Sequence, residues 1–162
     1  MKRKIINTCV ALGMIIPAFS QITTKPKPIG LPTPNIRPMQ PADLQVTEIR
    51  LVSAETKMID KTLYVTVAVT IKNSGQVTAA ASQLSAFFQK TTANAPWKSF
   101  SNNADFPAVN GGQTVSKNCV FKIAVSDVAV RQINFRVLAD AAGTVKESVE
   151  TNNYSQSILV TL

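Results

Sequence analysis

The chain has 162 residues, with 17 Lys or Arg against 9 Asp or Glu, and no histidine. Lacking histidine, it lacks the commonest general base, the usual triad partner and the commonest metal ligand. Its size suits one domain with appendages, and its cations are scattered rather than gathered in a stripe, which argues against nucleic-acid binding.

The chain opens on the basic residues Lys2, Arg3 and Lys4 and continues as a largely apolar run from Ile5 to Ile16, closed by Pro17. Ala18-Phe19-Ser20 places small residues at the two positions a signal peptidase reads. This predicts a signal peptide over residues 1–20, cut before Gln21. The apolar run is well short of the ~20 residues of a spanning helix, so no transmembrane segment is expected. Ile6-Asn7-Thr8, before Cys9, lack the small residues of a lipoprotein site. The expected location is therefore outside the cytoplasm: secreted, periplasmic or cell-surface. Loss of Lys2, Arg3 and Lys4 takes the net charge from +8 to +5. It also leaves Cys119 as the one thiol, so no intramolecular disulfide can form and the core must hold the fold.

Residues 21–42 read as a linker. Pro26, Pro28, Pro32, Pro34, Pro38 and Pro41 recur every few residues, which favours extended polyproline-II chain. A spacer is the expected role.

From Asp43 onward the pattern is β. Leu44 and Val46 share one parity and Ile49 and Leu51 the other, so the first strand should carry a bulge or cross between sheets. Leu63 to Ile71 alternates cleanly, with Leu63, Val65, Val67, Val69 and Ile71 inward. Asn73-Ser74-Gly75 reads as a turn in which Gly75 supplies positive φ. Leu84, Ala86 and Phe88 form the next inward row. Trp97 to Phe100 reads as a short edge strand, followed by a polar loop, Ser101 to Asp105. Gly111-Gly112 reads as a hairpin turn. Val115, Cys119, Phe121, Ile123 and Val125 share a parity that puts Cys119 in the core. Ile133, Phe135, Val137 and Ala139 make the next row, and Ile158, Val160 and Leu162 the last. No stretch has helical periodicity. About seven strands at regular spacing predict an all-β, immunoglobulin-like antiparallel β-sandwich over residues 43–162.

Several features, in order, carry a family resemblance. They are Asp43-Leu44 at the opening, the long strand running into Asn73-Ser74-Gly75, and the Gly111-Gly112 turn before the next strand. The last is the closing segment Asp140…Gly143-Thr144-Val145-Lys146-Glu147…Glu150-Thr151-Asn152-Asn153. Residues 43–162 thus resemble CARDB, a cell-adhesion-related domain of bacteria. The resemblance implies an extracellular immunoglobulin-like module, often in tandem or appended to surface enzymes.

Two groups of residues are candidate sites. Asp140, Glu147, Glu150, Asn152 and Asn153 are hard oxygen donors of the kind calcium prefers. The same carboxylates and amides suit a structural turn that binds backbone groups, the favoured reading, and Glu147 with Glu150 could also pose as an acid/base pair. Trp97 and Phe100, with Phe106, flank the polar stretch and could form a sugar- or peptide-binding surface, or else plug the sandwich. Cys119 has no base to activate it and faces the core. The resulting expectation is a non-catalytic exported module without a required cofactor, binding a protein or glycan. The alternative is an envelope assembly component pairing through edge strands.

Overall fold

The computed structural model describes residues 37–162, which form one compact unit, Arg37–Leu162. The expected signal peptide and all but the last residues of the expected linker lie outside the described residues. Seven strands carry the fold: β1 Leu44–Lys57, β2 Thr62–Asn73, β3 Ser82–Lys90, β4 Lys98–Phe106, β5 Thr114–Ala124, β6 Gln132–Leu138 and β7 Ile158–Thr161. A three-stranded sheet runs β1-β2-β5 and a four-stranded sheet β4-β3-β6-β7, every pairing antiparallel. This is the immunoglobulin-like sandwich that the strand count predicts.

Strand β2 is the centre of the smaller sheet, and its alternation is why. Leu63, Val65, Val67, Val69 and Ile71 are all buried, while the intervening residues face outward between β1 and β5. The parity slip in β1 comes from bulges. Register shifts fall between Val46 and Glu48 and between Leu51 and Ser53, and β1 stays on β2 throughout instead of changing sheets. Across the sandwich, Phe121 of β5 meets Phe100 of β4 at 6.1 Å, edge-on, and Phe135 of β6 at 5.9 Å, tilted. Such tilted ring pairs bridge the two sheets with a favourable quadrupole geometry.

Several local expectations are corrected. The polar stretch Ser101 to Asp105 is not a loop; it lies within β4. Its amides serve the sheet edge. The Asn102 side chain accepts from Lys122 N at 2.6 Å and donates to Val120 O at 3.1 Å, so one side chain satisfies two main-chain groups on the open edge of β5. Gly75 does not take positive φ. It is required by close approach: a Cβ there would lie 1.9 Å from the Pro41 carbonyl oxygen. Gly111-Gly112 does not close a hairpin. With Gly112 at φ 72°, it carries the chain from β4 in one sheet to β5 in the other, and Gly112 N donates to Asn73 O and Gly75 O. Val125 leaves the inward row because β5 ends at Ala124 and a single helical turn, α1 Val125–Val128, follows. Leu162 is 37% exposed beyond the end of β7. Gln40 to Ala42, within the expected linker, are bonded to the domain: Gln40 O accepts from Gln76 N and Val77 N, and Ala42 is buried.

Candidate functional site

The closing segment links β6 to β7 and is built inward. Asp140, at φ 42°, is buried, and its two carboxylate oxygens accept from Thr144 N, Thr144 Oγ1 and Val145 N at 2.8–3.1 Å. The carboxylate thus closes its own loop, a role a short acidic side chain fills well. Glu147 is also buried. One oxygen accepts from Leu44 N at 2.6 Å and the other from Asn153 Nδ2 at 3.1 Å. Glu150 accepts from Glu147 N, and Asn152 Nδ2 donates to Asp43 Oδ1 at 2.8 Å. Main-chain bonds Ser148 N to Ala42 O and Ala139 N to Asn153 O complete the seam. The structure therefore turns two of the five sequence-predicted donors, Glu147 and Asn152, onto the start of β1, while Asp140 and Glu150 bond main-chain groups of the closing segment itself.

Burial raises the Glu147 carboxyl above its ordinary value, and the neighbouring Glu150 and Asp140 add to this against the opposing bonds from Leu44 and Asn153. Both Glu147 oxygens are already engaged, so Glu147 and Glu150 do not face a substrate as an acid/base pair. The Oδ1 atoms of Asn152 and Asn153 are buried without a hydrogen-bond partner among the described residues. The described residues include no group of three or more acidic or thiol side chains placed to hold a metal ion.

Two contributors escaped sequence reasoning. Asp43, buried, serves as acceptor for Asn152. Asn73, fully buried, accepts from Asp43 N and Gly75 N and donates to Val77 O and Val109 O, which uses its whole amide capacity. Its only sequence signal was its place at the head of the Asn-Ser-Gly turn.

The aromatic candidates part company. Phe100 is buried among Phe88, Phe121 and Phe135, so it belongs to the core and not to a ligand surface. Phe106 is buried as well. Trp97 is half-buried on the outer side of the four-stranded sheet, where its ring centre lies 4.1 Å from the Arg136 guanidinium carbon. The Tyr154 ring lies 4.4 Å from the same carbon and the Phe87 ring 5.8 Å. Phe87 and Arg136 are directly paired across β3 and β6, and a bridge from Tyr154 to Leu138 brings the third ring. Three rings thus surround one guanidinium.

The remaining outward positions of this sheet are mostly amides and hydroxyls. Asn103 bonds Ser85 Oγ and Gln83, Asn134 donates to Gln89 and Gln132 to Thr161. Among the described residues, Asp105 and Arg136 are the only charged ones at outward strand positions of this sheet. The outer face of the three-stranded sheet is different. It carries Glu48, Arg50, Glu55, Lys57, Lys72 and Lys122 along its registers. Cys119 is buried, and burial pushes its thiol above the ordinary value.

An antiparallel sandwich of three and four strands, locked by a buried closing segment, defines an immunoglobulin-like β-sandwich class. The CARDB family model matches residues 41–157, and the chain belongs to the CARDB family, one of non-catalytic modules. Among solved structures, the chain is similar to the CARDB domain of a Pyrococcus furiosus protein in complex with di-metal ions. That likeness has 16% identity, covers 77% of this chain and 96% of that one, and has a TM-score of 0.48. It is also similar to a domain of a candidate cell surface protein from Methanosarcina acetivorans, at 20% identity over 76% of this chain and 92% of that one, TM-score 0.49. Beta-glucosidase 3B of Thermotoga neapolitana matches at 14% identity and TM-score 0.44, over 74% of this chain but 16% of that one. No curated protein matches at a significant level. No described helix is long and apolar enough to cross a membrane.

Proposed function

We propose that this chain is a non-catalytic, exported recognition module that binds a protein or glycan through the outer face of its four-stranded sheet. The asymmetry between the two outer faces carries this reading. Solvated sheet faces ordinarily bear charges, as the β1-β2-β5 face does. A face of neutral amides and half-buried rings costs less to desolvate when a partner covers it. The hydrogen bonds among its amides hold those groups in place before binding, which lowers the ordering cost.

The test is adsorption of the mature chain to intact cells and isolated envelope. Trp97→Ala and Gln89→Ala together should abolish adsorption, while Glu48→Gln with Lys122→Gln on the opposite face should leave it unchanged. Equal loss from both pairs would overturn the assignment to this face. Export is checked by intact mass, with the exported chain expected to begin at Gln21. A product retaining Met1 would refute cleavage.

One observation favours a second reading, assembly through edge strands. The β4–β5 side is stitched by Asn102, but among the described residues no group outside β2 bonds the β1 main chain from Gln45 to Lys57. An open edge of that length can pair with another chain. A stable multimer in solution, broken by proline at an outward-bonding β1 position, would establish it.

A further inference from the structure

We propose that the ligand of this face is an acidic glycan, its sugar carboxylate paired with Arg136; this rests on the recognition reading above. Arg136 Nε is buried and meets no hydrogen-bond acceptor among the described residues. Rings at 4.1 and 4.4 Å cover the guanidinium and its Nε is buried, so its terminal N–H groups are what remain for bonding. The residue is half-buried, and its terminal nitrogens are not among the buried, unpartnered atoms. A planar guanidinium held by rings is preorganised to take one carboxylate through two parallel hydrogen bonds from its terminal nitrogens.

The surroundings select the rest of the ligand. Gln89, Asn103, Gln132 and Asn134 each offer both donor and acceptor atoms, which matches sugar hydroxyls that also do both. The rings of Trp97 and Tyr154 supply apolar surface for the C–H groups of a sugar. One fixed cation among neutral groups suits a ligand with one carboxylate per several hydroxyls, the chemistry of a uronic acid residue. A dense polyanion would find a single partner here and would meet Asp105 on the same face. An acidic peptide would meet the amide rows with main-chain N–H and C=O groups instead of hydroxyls, and oligoglutamate in the experiment below separates the two.

The experiment is titration calorimetry on the mature chain in the presence of chelator, which removes cation bridging by the probes. Oligomers of galacturonate, mannuronate and glucuronate are compared with neutral gluco-oligosaccharides and with oligoglutamate. At least one oligouronate should bind more tightly than the others. Arg136→Gln should weaken it roughly tenfold or more, the worth of a charge-assisted bond. Arg136→Lys should recover only part, because an ammonium lacks the fork. Trp97→Ala should weaken uronate and neutral sugars alike. Thermal melts confirm that each variant is folded, and Gln132→Ala offers a second probe that leaves the aromatic cluster intact.

Equal binding of neutral sugars, unchanged in Arg136→Gln, would overturn the acidic class while leaving recognition by this face standing. Oligoglutamate binding as tightly as the uronates would overturn the glycan in favour of an acidic peptide. Absence of all oligosaccharide binding, with envelope adsorption still dependent on Trp97, would overturn the glycan and retain the recognition reading. Absence of both would overturn the two together.

Discussion

Glu147 accepts a 2.6 Å hydrogen bond from the main-chain N–H of Leu44, a residue 103 positions earlier in the chain. The bond ties the segment between the last two strands to the start of the first. Its other oxygen holds Asn153, so one buried carboxylate is bonded to two separate points of the chain.

Glu147 carries a pH signature. Its folded carboxyl is raised chiefly by burial, so the folded state holds the proton more tightly than the unfolded chain does. That contribution to stability is present below the ordinary carboxylate value and is lost as pH rises through the raised one. Glu147→Gln should therefore gain stability relative to wild type as pH increases from mildly acid to neutral, even if it is the less stable protein at the acid end. Paired thermal melts across that range check this. A difference that is flat with pH would refute it.

Gly75→Ala should destabilise sharply. The added Cβ would sit 1.9 Å from Pro41 O and 2.8 Å from Ala42 Cα, both backbone atoms that cannot swing away. Overpacking of this kind costs about 1–3 kcal/mol or more. Denaturant unfolding should show a lower midpoint with an unchanged slope.

Asn73→Ala should cost more than a typical surface amide. It leaves the N–H groups of Asp43 and Gly75 and the carbonyls of Val77 and Val109 without their side-chain partner. Unmet buried groups cost about 1–3 kcal/mol each. Asn103→Ala, on the exposed face, is the comparison and should change stability by less than about 0.5 kcal/mol.

Cys119 should label slowly with a thiol reagent in the folded protein and quickly once unfolded, because it is buried and its thiol is held above the ordinary value. Cys119→Ser should cost about 1–3 kcal/mol, since a hydroxyl is costlier to leave unpaired there.

The closing segment is expected to melt at the same temperature with chelator and with millimolar calcium. The oxygens of Asp140 and Glu147 are already taken by N–H and O–H donors of the fold. A bound cation would stabilise by mass action, by about 2.7 kcal/mol at a hundredfold excess over its dissociation constant. An upward shift with calcium that disappears in Glu150→Gln would sink this expectation.

Alternation alone determined the class of fold and much of its core. The rows of β2, β3 and β6 are read off every second residue, because a pleated strand puts such residues on one face whatever else surrounds it. The parity slip of β1 announced its bulges for the same reason, and the parity of Cys119 announced its burial. Other features depend on partners far along the chain, which local pattern does not encode. Ser101 to Asp105 looks like a loop until β5 supplies an edge for Asn102 to satisfy. Gly75 looks like a left-handed turn until Pro41 is brought against it. Phe100 and Trp97 look alike in sequence, but one strand turn places the first among core rings and the second against Arg136. The acidic and amide residues of the closing segment were legible as a cluster, but not their direction. That was decided by the packing of β1 beside the segment, because a buried carboxylate must take its hydrogen bonds from whichever backbone the fold brings within reach.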